Sequence, residues 1–252
     1  FGLVVGSFLN VCIYRIPRRL SIIMPSSRCP SCNIPIKPCD NIPIVSYIFL
    51  GGKCRFCKAK ISFRYPLVEL LNAVLYVLIL WRFDFGWHTV VYFIFSSSLI
   101  VITFIDLDFQ IIPDRLTLSG IPIGFLAGSF LLPDPFARSS LLGMKGSLIG
   151  MITGFVLFYL VALIGSAIFK KEAMGGGDVK MMAMVGALMG WKTVILTTFL
   201  GSLTGSIFGI LLMVSKGKDR MTKLPFGPFL ALGTVITLFF GQEILSWYIG
   251  GR

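Results

Sequence analysis

The sequence predicts an all-α, polytopic membrane protein of about eight transmembrane helices, with a small cysteine-bearing cytoplasmic insert between the first two. Three observations carry this. Of 252 residues, 56% are hydrophobic and only 13% are charged, about half the charged share of an ordinary soluble domain. The mean hydropathy is +0.88, and apolar runs recur along nearly the whole chain. Five of the six cysteines fall between Cys29 and Cys57, in a segment with little apolar content. Together these exclude a soluble globular enzyme, a disordered tail and a fibrous protein.

A spanning helix needs about 20 mostly apolar residues. Eight candidates follow in order: residues 1–14, 67–81, 89–105, 116–132, 146–169, 179–189, 193–215 and 229–248. The first is short and reads as a span truncated at its N-terminus. A signal peptide is disfavoured, because no small-residue cleavage site follows and the arginines come after the apolar stretch. The run 179–189 is too short to cross alone and is expected to tilt or insert partly. The 13 prolines and 27 glycines fit helices broken at chosen points.

Alternating these spans puts 18 of the 23 Lys and Arg residues on the side that holds residues 15–66. Basic loops stay in the cytoplasm, so that side is cytoplasmic. The net charge of +12 is then an orientation signal and an attraction to anionic headgroups, and nucleic acid is not needed to explain it. The expected organisation is a first transmembrane helix over 1–14, a cytoplasmic insert over 15–66 and a helical membrane domain over 67–252.

The insert carries Cys29-Pro30-Ser31-Cys32 and Cys54-Arg55-Phe56-Cys57, two CxxC pairs separated by 21 residues. Two thiolates from each pair can close a tetrahedral site, and zinc favours four sulfur ligands where its role is structural. Pro35, Pro38, Pro43 and Gly51-Gly52 make the intervening segment read as turns and short strands, a zinc-ribbon-like module. Disulfides would need an oxidising compartment, whereas the charge count places the loop in a reducing one. Bound metal would stabilise an insert too poor in apolar residues to fold well alone. Cys39 and Cys12 are left over, and Cys12 reads as a small core residue on an apolar helix.

Carboxylates in or beside membrane spans are costly, so each is a functional candidate. The chain has eleven acidic residues. Asp84, Asp134, Asp219 and Glu243 fall in loops or at outer ends and read as solvated charges. Glu69, Asp106, Asp108, Asp114, Glu172 and Asp178 lie near the cytoplasmic face. The third span runs into Asp106-Leu107-Asp108 and on to Pro113-Asp114. Proline disfavours helix in the residue before it, so Asp106 stays on the third span while Asp114 starts or caps the next helix. The second cluster is Gly175-Gly176-Gly177-Asp178-Val179-Lys180, where glycines allow a sharp turn or a close approach and Asp178 opens the sixth span. Two aspartates on converging helices can share a proton, one activating water while the other donates to a scissile carbonyl. The residues by themselves leave open an aspartic protease, an ion or proton pathway, and simple capping with pairing to Arg115 or Lys180. The lone histidine, His88, sits beside Trp87 in an outer loop. It leaves no residue for Ser–His–Asp or HExxH chemistry at the cytoplasmic face, and reads as an interfacial anchor.

The ordered set of motifs resembles the type IV prepilin peptidase family, the leader peptidase/N-methyltransferases of the GxGD aspartic protease group. It comprises Gly6-Ser7-Phe8-Leu9-Asn10-Val11 with Tyr14-Arg15-Ile16-Pro17, the two CxxC pairs, Asn41-Ile42-Pro43, and Arg64-Tyr65-Pro66-Leu67-Val68-Glu69. It ends with Asp106 through Pro113-Asp114 and with Gly175-Gly176-Gly177-Asp178-Val179-Lys180. A bare GxGD is weak, but this series spans almost the whole chain. The resemblance implies a catalytic pair of Asp106 and Asp178, with Asp108, Asp114 and Lys180 as accessory positions. It implies type IV prepilins and pseudopilins as substrates, whose short basic leader is cut after Gly at the cytoplasmic face of the bacterial inner membrane. It also implies methylation of the new N-terminal amine by S-adenosylmethionine. The aspartates are 72 positions apart, longer than in the family, and the excess falls in the outer loop around residues 133–140. No Gly-rich nucleotide turn follows a strand. Glu69, at the start of the second span, is the candidate for orienting or deprotonating the amine, and pairing with Arg64 is its bland alternative. A peptidase without methyl transfer and a carboxylate-based transporter are the rival readings, and oligomeric state is left open.

Overall fold

A computed structural model describes residues 1–137, 140–170, 174–216 and 224–250. In chain order its helices are α1 (Gly2–Arg15), α2 (Val45–Phe49), α3 (Arg64–Phe83), α4 (Trp87–Phe109), α5 (Asp114–Phe130), α6 (Gly143–Phe169), α7 (Gly176–Met189), α8 (Trp191–Lys216) and α9 (Gly227–Gly250). Each of the eight expected apolar runs falls on one of them, and only α2 belongs to the insert. By length and composition α3, α4, α6, α8 and α9 are able to cross a membrane. The others are shorter: α1 and α7 have 14 residues and α5 has 17. Among the described residues β-structure is limited to isolated bridges. The chain divides into two compact units, Phe1–Val101 and Ile102–Arg252, with α4 running from one into the other.

In the first unit α1 and α3 run antiparallel and are held by amide side chains. Asn10 Nδ2 donates to the Tyr65 carbonyl at 3.1 Å, and Asn72 Nδ2 donates to the Gly2 carbonyl at 2.8 Å. The Ser97 hydroxyl donates to Asn72 Oδ1 at 2.8 Å, which ties in the first part of α4. Between apolar helices such bonds act as specific joints, since lipid offers the same groups no partner.

The insert contains one local structure built twice. In the first copy Arg28 bridges Pro35, the Cys29 N–H donates to Ile34 O, and Asn33 (φ +60°) donates its N–H to Cys29 O. In the second, Lys53 bridges Lys60, the Cys54 N–H donates to Ala59 O, and Lys58 (φ +57°) donates to Cys54 O. Each copy folds a CxxC pair into a tight knuckle with both sulfurs on one side. The connection departs from the turns and strands expected: it is a 3₁₀ turn at Pro38–Asn41 followed by α2. A proline, Pro38, opens the 3₁₀ turn, because a first-turn residue needs no intrahelical N–H partner.

In the second unit α7 is the centre. Residues 178–189 are buried apart from Lys180, with α5, α6 and α8 packed around them. A helix that is apolar on every side is one covered on every side. At its closest contact, Gly150 of α6 faces Gly186 of α7, and a Cβ on either would overlap the opposing backbone.

Candidate active site

Four helix ends of the second unit supply the acidic site. Asp106 lies in the last turn of α4 and Asp178 in the first turn of α7, and both are buried, at 5% and 8% exposure. They are near enough for the charge of Asp106 to act on Asp178. Asp106 Oδ2 accepts the backbone N–H of Gly227, the first residue of α9, at 2.9 Å. Asp178 Oδ1 finds no hydrogen-bond partner among the described residues, while its carboxylate takes a hydrogen bond from the Gly175 backbone. Asp114 opens α5, and Lys180 Nζ reaches its Oδ1 at 2.7 Å, so an ion pair joins the starts of α5 and α7. Asp108 is exposed on the last turn of α4. Glu172, like Asp219, lies outside the described residues.

The reading of carboxylates alone misses Gly227, which contributes only a backbone N–H and comes 121 residues after the aspartate it serves. The local signal is Pro225-Phe226-Gly227-Pro228, a turn cluster immediately before the last apolar run.

Two further groups lie in the first unit. Glu69, 7% exposed on α3, accepts the Ile44 N–H at its Oε2 at 2.8 Å and a hydrogen bond from the Ser7 hydroxyl. Ile44 has φ +59° and ψ −48°, with the Val45 N–H reaching Pro43 O at 2.6 Å. That is the rare γ-turn with positive φ, a strained conformation for a β-branched residue. The four cysteine sulfurs 29, 32, 54 and 57 lie within 4.8 Å of one another and could hold a metal ion. Cys29 Sγ is 3.8 Å from Cys57 Sγ. The Cys32 and then the Ser31 backbone N–H groups stabilise the Cys29 thiolate, lowering its pKa to about 6. Arg55 makes a forked contact to Asp40, Nε–Oδ2 2.8 Å and Nη2–Oδ1 2.6 Å, linking the second knuckle to the connection. Its guanidinium holds the Asp40 carboxyl below the usual range. Asp40 is the one acid passed over in reading the sequence. Cys39 and Cys12 stand apart from the cluster. His88 bonds the Phe83 carbonyl at 2.7 Å, closing the loop before α4.

The profile of the bacterial peptidase A24 N-terminal domain matches residues 1–83, and that of the type IV leader peptidase family matches residues 93–210. A Prepilin leader peptidase/N-methyltransferase of Pseudomonas aeruginosa is 36% identical, over 98% of this chain and 91% of its own length. The chain belongs to the type IV leader peptidase family. Proteins of the same name from Aeromonas salmonicida and Neisseria gonorrhoeae are also 36% identical, over 99% and 98% of this chain and 91% and 92% of theirs. No solved structure matches. In this leader peptidase family member Asp106, Asp114, Asp178 and Lys180 fall within the second profile's range, whereas Glu69 and the four cysteines fall within the first.

Proposed function

We propose that this chain removes the short basic leader of type IV prepilins and pseudopilins after Gly, at the cytoplasmic face of the bacterial inner membrane. It then methylates the new N-terminal amine with S-adenosylmethionine. The observation that carries cleavage is the buried pair Asp106 and Asp178 with its unequal hydrogen bonding. A backbone N–H at the positive end of α9 favours a charged Asp106. Asp178, with one oxygen unmatched, carries the shared proton. Asp106 takes a proton from water as the water oxygen attacks the scissile carbonyl carbon, and Asp178 gives its proton to the carbonyl oxygen. When the C–N bond breaks, the departing amine takes the proton held by Asp106, and a hydroxyl of the gem-diol returns its proton to Asp178 as the carbonyl re-forms. The two carboxyls titrate as one unit. The Asp114–Lys180 pair fixes the start of the helix that bears Asp178, and Asp108 remains an accessory position.

The insert over 15–66 is read as the zinc module, with Cys29, Cys32, Cys54 and Cys57 as ligands and 67–252 as the peptidase domain. Zn–S bonds of about 2.3 Å in a tetrahedron put sulfurs roughly 3.8 Å apart, which agrees with the 3.8 Å between Cys29 and Cys57. Four thiolates leave no open position, so the ion's contribution is to folding. The chain's +12 charge faces anionic lipid. Glu69 orients the substrate amine or takes its proton before methyl transfer.

The test is a cleavage assay on a purified prepilin with mass-resolved products, with and without S-adenosylmethionine. Loss of the leader followed by a gain of one methyl group supports both halves. An intact precursor refutes cleavage, and a product that never gains the methyl refutes transfer. Ion flux in liposomes without cleavage would point to a transporter.

A further inference from the structure

Large apolar side chains stand uncovered on the insert, outside the helices able to span. Ile23 and Met24, on the loop after α1, are 80% and 71% exposed, and Phe49 of α2 and Phe63 before α3 are 86% and 68% exposed. Single exposed apolar residues need no explanation, but grouped ones mark a surface that something covers. Both groups belong to one end of the α1–α3 pair, where Asn10 bonds the Tyr65 carbonyl and the end of α1 meets the start of α3.

The helices fix the depth of each group. The 20 residues of α3 extend about 30 Å, which is the thickness of the hydrocarbon core. A helix of that length crosses with its first turn at the lipid boundary. Glu69 lies about 7.5 Å into it, and its Oε2 accepts the N–H of Ile44, the residue that opens α2, at 2.8 Å. The Tyr47 ring meets Phe63 edge-on with centroids 6.5 Å apart, so α2 is held beside the first turns of the span. The loop group is folded back in the same way. Arg15, the last residue of α1, donates to Ser21 O at 2.9 Å and to Pro25 O at 2.6 Å. Residues 22–27 then share a space of about 550 Å³ with Val4, Phe8 and Val11, which places them alongside α1, not beyond its end. Between residues 15 and 66 there are ten basic residues and one acid, Asp40, and Arg55 is paired with that acid. Arg19, Arg28, Lys58 and Lys60 are exposed.

We infer that the insert is seated in the membrane surface, with the 20–24 loop and α2 with Phe63 entering the leaflet and its basic side chains on anionic phospholipid headgroups. The inference rests on α3 crossing the bilayer and needs neither the cleavage nor the methyl transfer proposed above. A depth of about 5–10 Å is that of segments lying in an interface, and basic residues beside apolar ones strengthen their hold on anionic lipid. A soluble protein would have to reach below the headgroups to cover Phe49. A second copy of the chain would set ten basic residues against ten.

The experiment uses the full-length protein in bilayer discs of equal phosphatidylglycerol and phosphatidylcholine. The photoreactive amino acid benzoylphenylalanine replaces Phe49 in one protein and Ile23 in another, and mass analysis identifies what each captures. Lipid adducts are expected at both positions, with phosphatidylglycerol captured at least about threefold more than phosphatidylcholine. Absence of a lipid adduct at either position, or capture of a second chain in its place, overturns the seating. Equal capture of the two lipids overturns the assignment to anionic headgroups. Phe49→Asp, which puts a charge at acyl depth, is expected to speed amide hydrogen exchange over residues 45–50 in the discs at least about fivefold, with unchanged circular dichroism and thermal transition showing that the protein is folded. Exchange within about twofold of wild type overturns the placement of α2 in the leaflet.

Discussion

Gly227→Ala isolates the contribution of one backbone N–H to catalysis. A Cβ at that position would lie 2.7 Å from Asp106 Oδ2 and 3.2 Å from its Cγ. The carboxylate therefore has to leave the N–H that it now accepts at 2.9 Å. A hydrogen bond to a charged group is worth about 1.5–3 kcal/mol, which at about 1.4 kcal/mol per decade is a loss of about 10- to 150-fold in rate. Alanine is a better helix former than glycine by about 1 kcal/mol, so weakened α9 is not a competing cause. The assay is steady-state cleavage of a prepilin by detergent-solubilised protein, with Gly250→Ala as control, because a Cβ there meets nothing within 4 Å. The expected result is a lower kcat with KM within twofold of wild type and unchanged helical content. A Gly227→Ala enzyme with kcat within twofold of wild type would refute the assignment of Asp106 as the charge held by α9.

Asp106→Asn and Asp178→Asn are each expected to abolish leader cleavage while the protein stays in the membrane, and substantial cleavage by either contradicts the pair. Metal analysis should find about one zinc per chain, the content of a single four-thiolate site, and full retention after Cys29→Ser with Cys54→Ser argues against that site. Thiolates bind metal only when deprotonated, so zinc release to a chelating dye should rise as pH falls, and a zinc content that acid leaves unchanged would be inconsistent with the site. Glu69→Gln is expected to cleave normally but fail to methylate, so normal methylation removes Glu69 from that role. The Asp114 and Lys180 side chains are 59% and 34% exposed, and exposed pairs contribute about 0–1 kcal/mol. A double-mutant cycle with Asp114→Asn and Lys180→Met should give thermal-stability coupling within that range, and a larger value would mean the pair is shielded from water.

The helices were legible because the apolar runs, most of them long, are separated from one another by charge, glycine or proline. The knuckles were legible because CxxC spacing constrains where both sulfurs point. Asp106 and Asp178 stood out because acids are scarce in such a chain. Other features depend on tertiary placement. The α9 contact to Asp106 is made by a glycine backbone, which has no chemical signature in sequence. The positions of Ser7 and Ile44 around Glu69 require α1 and the insert to return to α3 across 62 and 25 residues of chain. The length of α7 argued for a helix tilted or partly inserted in lipid, whereas its place at the centre follows from Gly150 facing Gly186, which lets α6 close on it. The 3₁₀ turn stands where a strand was expected because Pro38 suits a first helical turn as well as a loop.

The contact between α6 and α7 is backbone against backbone. Side chains at a helix interface can change rotamer and let two helices slide, but apposed glycines offer no such layer. Advancing α7 by one residue, about 1.5 Å, would move the Gly186 and Met182 carbonyls out of the gaps that Gly150 and Gly154 leave. Asp178 is thereby a fixed reference in its unit. A scissile peptide must be brought to it, while the first residue of α9 holds the other aspartate through the Gly227 N–H.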